Sequence, residues 1–253
     1  MKVISRAAGT LVLLLPLLRP LPVAAQLSQW PQHSMDRPKP GVVDPGPFPG
    51  STPPPADAIV LLDGRSLAAW RSADSGAVRW RLADGAMEVV AGTGGIETVQ
   101  SFGDVQVHVE WMAPSPPRGE GQDRGNSGVF LMRQYEVQIL DSYHNDTYAD
   151  GQAGSIYGQY PPLVNPIRPP GEWQSYDIVF RRPRFDSAGR VTRAARMTVF
   201  FNGILVQDAM ELVGPTSNAE RKPYAAHPDR LPLSLQDHGH PVRFRNIWLR
   251  ELE

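Results

Sequence analysis

The stretch YEVQILD at residues 135–141 alternates apolar and polar side chains. This alternation is typical of a strand with one face in a protein core. It predicts that Val137 and Ile139 point into the core, that Glu136 and Gln138 lie on the opposite face, and that Asp141 follows the end of the strand. Polar groups at i, i+2 and i+5 suit acid–base chemistry. The alternative is an amphipathic strand with a solvated polar face.

The chain around this stretch is a series of short strands and tight turns. Asp84-Gly85 and Asn202-Gly203 predict two hairpins, because these residue pairs tolerate a positive φ. With no long helical period, the pattern predicts an all-β sandwich or barrel. An irregular segment at 142–173 is long enough to be a binding loop or a lid. Further strands are predicted over residues 58–62, 80–82, 87–89, 105–111, 176–180, 197–201, 204–206 and 242–252.

The N-terminus has the pattern of a secretory signal peptide. Lys2 and Arg6 precede an apolar run, and Val23-Ala24-Ala25 offers small residues for cleavage, so residues 1–25 are predicted to be removed. We therefore expect an exported protein, periplasmic or extracellular. The apolar run is too short to span a bilayer, so no stable membrane insertion is predicted. The absence of cysteine excludes disulfides and thiol nucleophiles.

Residues 26–56 have a different composition from the remainder. Nine prolines fall within them and no apolar periodicity is present, which predicts a flexible, partly polyproline-II tether. The alternative is an extended arm that packs on the domain through Trp30 and Phe48. Residues 57–253 form the predicted domain. The 25 basic and 26 acidic residues leave no basic patch for a nucleic acid.

Four segments, in this order and spacing, carry a family resemblance. Together they resemble the 3-keto-disaccharide hydrolase family. That resemblance implies a jelly-roll β-sandwich like those of concanavalin A-like lectins and glucanases. It also implies cleavage of a small substrate, a disaccharide or glycoside oxidised at C3 of the sugar. The segments are residues 61–67 with Trp70, residues 125–130, residues 135–141, and residues 235–239 with 242–248.

A comparison with jelly-roll glucanases places the site on the same strand. Their catalytic strand carries a Glu nucleophile, an Asp helper and a Glu acid/base, and here Glu136, Gln138 and Asp141 hold these positions. Gln138 cannot ionise, and Asp141 is one methylene shorter than Glu. Retaining glycosidases hold their two carboxyl groups about 5–5.5 Å apart, a separation that Asp141 reaches less easily. Ordinary retaining hydrolysis is therefore disfavoured.

The implied 3-keto substrate needs a different set of groups. A ketone at C3 acidifies the hydrogen on C2, so one base, one acid and a group that stabilises an enolate are enough. We predict Glu136 as the base and Asp141 or His238 as the acid. The predicted substrate-binding residues are Asn126, Gln138 and Gln236 at sugar hydroxyls, Arg133 or Arg245 at the enolate, and Tyr157 among the loop aromatics. For most of these, a structural role in a turn, strand end or loop is the alternative.

A divalent metal ion is a further option. His238 and His240, with Asp141 or Glu136 nearby in space, form a weak ligand pattern, and jelly rolls also hold structural calcium. The metal and its identity stay open at this point. Two other functions also stay open: a non-catalytic carbohydrate-binding module and an ordinary glucanase.

Overall fold

The structure is a computed structural model that describes residues 29–74 and 76–253. The predicted signal peptide, residues 1–25, lies outside the described residues. In chain order the strands are β1 Gly41–Val42, β2 Ile59–Leu62, β3 Trp70–Ser72, β4 Arg81–Ala83, β5 Ala86–Glu88, β6 Ile96–Phe102, β7 Val105–Met112, β8 Ser127–Leu131, β9 Tyr135–Ile139, β10 Val164–Asn165, β11 Gln174–Arg181, β12 Arg184–Phe185, β13 Val191–Arg193, β14 Arg196–Phe201, β15 Ile204–Glu211, β16 Leu231–Leu235 and β17 Arg243–Glu251. A short 3₁₀ helix, Ala149–Gly151, lies between β9 and β10.

Two antiparallel sheets form the predicted jelly-roll sandwich. The eight-stranded sheet has the order β15-β14-β11-β7-β17-β5-β4, with β2 also paired to β17. The five-stranded sheet has the order β3-β6-β16-β8-β9, which makes β9 an edge strand. The inner faces of both sheets meet in one core, where Val107 and Trp111 of β7 and Val137 of β9 are fully buried.

The two predicted hairpins are confirmed. Asp84 and Gly85 have φ of 52° and 71° between β4 and β5, and Asn202 and Gly203 have φ of 52° and 79° between β14 and β15. Left-handed residues at both central positions match the twist of the flanking strands. The local chemistry of these pairs therefore sets the strand order at both ends of the eight-stranded sheet.

The described part of residues 26–56 packs along the domain, so the predicted flexible tether is wrong for residues 29–56 and the extended arm is what the structure shows. β1 pairs in parallel with β10. Ser51 Oγ donates to Glu110 Oε2 at 2.8 Å, and the Phe48 ring lies 5.4 Å from the guanidinium of Arg245. Composition alone did not predict this packing, because the arm makes its hydrogen bonds and apolar contacts with the domain and not within itself.

Among the described residues, no helix is long and apolar enough to cross a membrane.

Candidate active site

Strand β9 is an edge strand whose free side is covered by the long loop. Gln138 N donates to Ser155 O at 3.0 Å, Gly154 N donates to Gln138 O at 3.0 Å, and Tyr157 N donates to Glu136 O at 3.3 Å. The loop thus satisfies the backbone groups of β9 that no strand pairs. As a result the polar face of β9 is buried, although a strand at a sheet edge is usually open to solvent.

Glu136 lies on the outer face of the five-stranded sheet, the face turned away from the core, as the alternation predicts. Its residue is only 5% exposed. Burial raises the pKa of Glu136 to about 8, because a desolvated carboxyl favours its neutral form. Gly128 of β8 makes room for the group, since a Cβ at that position would lie 2.4 Å from Glu136 Oε1.

The side-chain amide of Gln138 fits two orientations, which the hydrogen-bond network distinguishes. In one, Nε2 donates to Gln122 Oε1 at 3.1 Å and to Asn126 Oδ1 at 3.4 Å. The amide oxygen then faces Glu136 Oε1, from which it can accept a hydrogen bond only when that carboxyl is protonated. In the other, Nε2 donates to Glu136 Oε1 at 2.9 Å and to Ser127 O at 3.2 Å. Gln138 therefore pairs with Glu136 in either protonation state.

Glu136 and Gln138 open into a pocket of about 330 Å³. Of the predicted site residues, Asn126, Tyr157, Gln236 and His238 also line it. Glu136 is the only carboxylate among the described residues of the lining. The full lining is Asn126, Phe130, Glu136, Gln138, Tyr157, Thr216, Ser217, Asn218, Gln236 and His238.

Gln236 and His238 reach the pocket from the turn after β16. Gln236 N donates to Gly128 O at 3.1 Å, which aligns this turn with β8. Gln236 Oε1 is buried and accepts no hydrogen bond from any described residue. An unpaired buried oxygen is costly unless a ligand or solvent donor meets it. In this pocket Gln236 Oε1 is suited to accept a hydrogen bond from a hydroxyl group of a ligand.

Tyr157 forms the wall of the pocket on the loop side. Its hydroxyl is 2.7 Å from the hydroxyl of Tyr148. Burial raises the pKa of Tyr157. The hydrogen bond with Tyr148 opposes this shift and the charge of Glu136 adds to it, so the phenol stays protonated at neutral pH. Tyr157 can therefore donate a proton or a hydrogen bond to a ligand.

Four lining residues were missed in the sequence. Phe130 of β8 lies directly opposite Glu136, and Thr216, Ser217 and Asn218 belong to an irregular segment. Thr216 Oγ1 accepts from Glu136 N at 3.1 Å and donates to Gln134 O at 3.0 Å, so this segment is held against β9. Phe130 falls in the quoted Gly125–Phe130 motif, whereas residues 216–218 carry no motif that could have found them.

Asp141 does not line the pocket, so its predicted role as the acid is not supported. Its carboxylate is 1% exposed and Oδ2 accepts from Arg124 Nε at 2.7 Å. Oδ1 accepts from Tyr143 N at 3.1 Å. Desolvation raises the pKa of Asp141, and the charge of Arg124 opposes that shift. This carboxylate anchors the start of the long loop.

Arg133 and Arg245 also lie away from the pocket, so neither is placed to stabilise an enolate beside Glu136. Arg133 Nη2 pairs with Glu97. Arg245 belongs to β17 of the eight-stranded sheet, where Nε donates to Glu110 Oε2 at 2.6 Å and the guanidinium covers the Trp173 ring at 3.9 Å. Although His238 and Arg245 are close in sequence, β16, which precedes His238, and β17, which carries Arg245, belong to different sheets.

The proposed metal ligands do not converge either. His238 and His240 stack with ring centroids 5.9 Å apart, and His240 Nε2 lies 3.4 Å from Asp123 Oδ1. Within residues 29–74 and 76–253, no group of three or more His, Asp or Glu side chains is arranged to hold a metal ion.

Comparison with known sequences decides the family. Residues 57–250 match the profile of the family described as the 3-keto-alpha-glucoside-1,2-lyase-like domain. The chain belongs to this family. The match covers every residue of the pocket lining and all of both sheets except Glu251. A search of curated proteins found no match.

Solved structures agree with this family and fold. One "putative glycosyl hydrolase" of Parabacteroides distasonis ATCC 8503 is 46% identical, with a TM-score of 0.75 over 78% of this chain and 84% of that one. A second protein of that description and organism, 19% identical, has a TM-score of 0.57 over 78% and 94% of the two chains and shows the fold alone. The family match and these solved structures thus agree on the jelly-roll fold of the domain.

Proposed function

We propose that this protein is an exported enzyme that cleaves the glycosidic bond of 3-keto-disaccharides or 3-keto-glucosides by elimination followed by hydration. The observation that carries the proposal is Glu136, a buried carboxylate of raised pKa among neutral polar side chains in the pocket. A base with a pKa near the working pH is the most effective in proton transfer. The export part rests on the signal-peptide pattern of residues 1–25.

In the first step Glu136 removes the proton from C2 of the oxidised sugar. The electron pair of the C2–H bond forms an enolate with the C3 carbonyl. The enolate then expels the oxygen substituent on C1, which takes up a proton and leaves as an alcohol. The product is an enone with a double bond between C1 and C2. Water adds back, with hydroxyl on C1 and a proton on C2, and releases the 3-keto-sugar.

Hydrogen-bond donors around the pocket would assist both steps, the formation of the enolate and the departure of the C1 oxygen. The amides of Asn126 and Gln236 and the imidazole of His238 are in position to hydrogen-bond the developing enolate oxygen or the sugar hydroxyls. His238 or the protonated Tyr157 can give the leaving oxygen its proton. Hydrogen bonds made beside the buried Glu136, Gln138 and Asn126 are stronger than in solution, because the local dielectric is low.

Hydrolysis by an ordinary glucanase mechanism needs a second carboxyl group. Asp141 is the nearest in sequence, but Arg124 and the backbone of Tyr143 hold its two oxygens outside the pocket lining. An elimination needs one base, which Glu136 supplies. Displacement needs two carboxyl groups, and the described lining contains only one.

The test compares one glucoside with its 3-keto form on the purified protein. We expect cleavage of the 3-keto-glucoside and essentially none of the parent, because without the carbonyl the C2 hydrogen is too weakly acidic. In deuterated water the released sugar should carry deuterium at C2. An enzyme-free control and the recovered substrate correct for spontaneous exchange. Equal rates on both sugars would refute the 3-keto requirement, and early product without C2 deuterium would refute elimination.

The variant Glu136→Gln separates an enzyme from a carbohydrate-binding module. It keeps the shape of the side chain but removes the base, and a general base typically contributes about 10²–10⁴-fold to the rate. We expect sugar binding to persist while turnover is lost. A wild-type protein that binds both sugars and cleaves neither would support a non-catalytic binding module instead.

A further inference from the structure

A row of side chains crosses the outer face of the five-stranded sheet from Glu136. Glu136 of β9 pairs in register with Phe130 of β8, Phe130 with Ser234 of β16, and Ser234 with Glu97 of β6. Glu97 in turn pairs with Arg71 of β3. Residues directly opposite in neighbouring strands lie side by side on one face. The row therefore joins the pocket to a second polar cluster.

That cluster contains one buried carboxylate between two arginines. Glu97 is 2% exposed, and Oε1 accepts from Arg71 Nε at 2.8 Å and from Arg133 Nη2. The arginine side chains remain 37% and 42% exposed. With two positive charges against one negative, the cluster carries a net charge of +1. Each guanidinium has five N–H donors, and within the described residues their side-chain partner is Glu97 alone.

Arg133 is held over this face by an unusual turn. Met132 and Arg133, two of the three residues between β8 and β9, have φ of 54° and 60°. Hairpin turns of this shape favour Asn and Gly, and a long side chain in the left-handed region costs on the order of 1 kcal/mol or more. Met132 is 3% exposed and fixes one side of the turn in the core. An arginine thus occupies a position where glycine or asparagine would adopt the same backbone at lower cost.

The row runs from Glu136 to Glu97, away from the loop that closes the other side of β9. A substrate whose reacting ring lies at Glu136 could place its leaving group along this row. Glu97 is three strand spacings from Glu136, about 14 Å at roughly 4.8 Å each. Residues 154–157 close the opposite side of β9. Between Glu136 and Glu97 lie the partly exposed Phe130 and Ser234, so the ring of Phe130 can carry an apolar sugar or aromatic face.

We propose that Arg71 and Arg133 form a subsite for a carboxylate on the leaving group of the glycoside. The assignment of a leaving group rests on the proposed function, whereas the preference for a carboxylate rests on the cluster itself. Arginine donates only, and its planar fork matches the two oxygens of a carboxylate. A uronic acid ring and an aromatic acid would both present this group at the end of the row.

Calorimetric titration of the wild-type protein tests the subsite without any turnover. The ligands are two unoxidised glycosides, a carboxyphenyl glucoside and a glucosyl uronate disaccharide, each compared with its neutral carboxamide. We expect the carboxylate of the fitting ligand to bind about five- to tenfold more tightly than its amide at low salt, and the ratio to fall as salt screens the charges. Which of the two pairs shows the difference identifies the source of the carboxylate.

The variants Arg71→Gln and Arg133→Gln should each reduce that ratio toward one, while Arg193→Gln, a change at an exposed residue of β13, should leave it intact. The affinity ratio and its salt dependence are measured on the wild-type protein. The test therefore stands even if a variant fails to fold. Equal or undetectable binding of carboxylate and amide in both pairs would overturn the subsite. Failure of the 3-keto-glucoside to be cleaved would instead overturn the proposed function.

Discussion

A Cβ on Gly128 would lie 2.4 Å from Oε1 of Glu136 and 2.8 Å from Cε2 of Phe130. Strands β8 and β9 thus pack side by side here because Gly128 has no side chain. The glycine allows a carboxylate and an aromatic ring to share the outer face of the sheet beside it.

We predict that Gly128→Ala lowers kcat/KM at least about tenfold, because the methyl group displaces the base or the ring next to it. Overpacking should also cost about 1–3 kcal/mol in the free energy of unfolding. Gly41→Ala is the matched control, since a Cβ there meets nothing within 4 Å. Activity assays and urea unfolding of both variants check this, and a fully active Gly128→Ala would contradict the tight fit.

The buried carboxyl of Glu136 should shape the pH dependence of the reaction. Burial raises the pKa of Glu136 to about 8, and only the ionised form is a base. We expect kcat/KM on a 3-keto-glucoside to rise with pH and to level off near or above pH 8. A profile governed by an apparent pKa close to 4.5 would show instead that the working base is a solvated carboxyl.

The same group should make stability depend on pH. The pKa of Glu136 is raised from 4.5 to about 8 in the folded protein, so the folded state holds a proton that the unfolded chain releases between these values. Its contribution to stability is complete below pH 4.5, declines as pH rises, and is lost above pH 8. Glu136→Gln should therefore match the wild type near pH 4 and be more stable by a few kcal/mol at pH 9. Urea unfolding of both proteins at pH 4 and pH 9 tests the sign of this stability difference. Equal stability of the variant and the wild type at pH 9 would contradict burial of the charge.

Asp141→Asn should act on stability more than on chemistry. The change weakens the hydrogen bond from Arg124 Nε, 2.7 Å long and almost fully buried, and leaves an arginine without its counter-charge. We expect a loss of about 1–3 kcal/mol in unfolding free energy. Asp146→Asn, at a carboxylate that is 79% exposed, is the control. A loss of 10²-fold or more in kcat with unchanged stability would restore Asp141 as the acid.

The arm formed by residues 29–56 should support the pocket. Gln32 Nε2 donates to Ser217 O at 2.5 Å. The His33 ring stacks on Tyr148 with centroids 4.2 Å apart and makes a tilted contact with Tyr157 at 5.2 Å. We predict that a chain starting at residue 57 has a Tm several degrees lower and a higher KM than a chain starting at residue 29. Calorimetry and activity assays compare the two. Identical values would mean that the arm packs without consequence.

His33→Ala is the finer version of the same test. It removes the ring contacts with Tyr148 and Tyr157 but leaves the remaining arm contacts in place, so we expect a smaller loss of stability than on deletion. A rise in KM with little change in Tm would locate the effect at the Tyr157 wall of the pocket.

Local patterns predicted much of the sheet structure. Asp84-Gly85 and Asn202-Gly203 form hairpins because both residues of each pair accept a positive φ. In β9 the period of two puts Val137 into the core and Glu136 on the other face. These features depend on a few neighbouring residues, which a sequence records directly.

Local sequence patterns did not predict the contacts between segments that are far apart in the chain. Arg245 follows His238 closely in sequence, yet it lies on the other sheet and pairs with Glu110. Residues 216–218 reach the pocket from an irregular segment, and the proline-rich arm finds its partners on the domain surface. No periodicity marks any of these contacts.

The sequence by itself determined the fold class, the family motifs and the strand that carries Glu136 and Gln138, because side-chain alternation and turn chemistry are local. Only the tertiary structure decided that Glu136 is desolvated, that Asp141 is held by Arg124, and that Arg71 shares a row with the pocket. Burial, ion pairing and strand register all arise from segments far apart in the chain. Their energies depend on distance in space, which the order of residues does not contain.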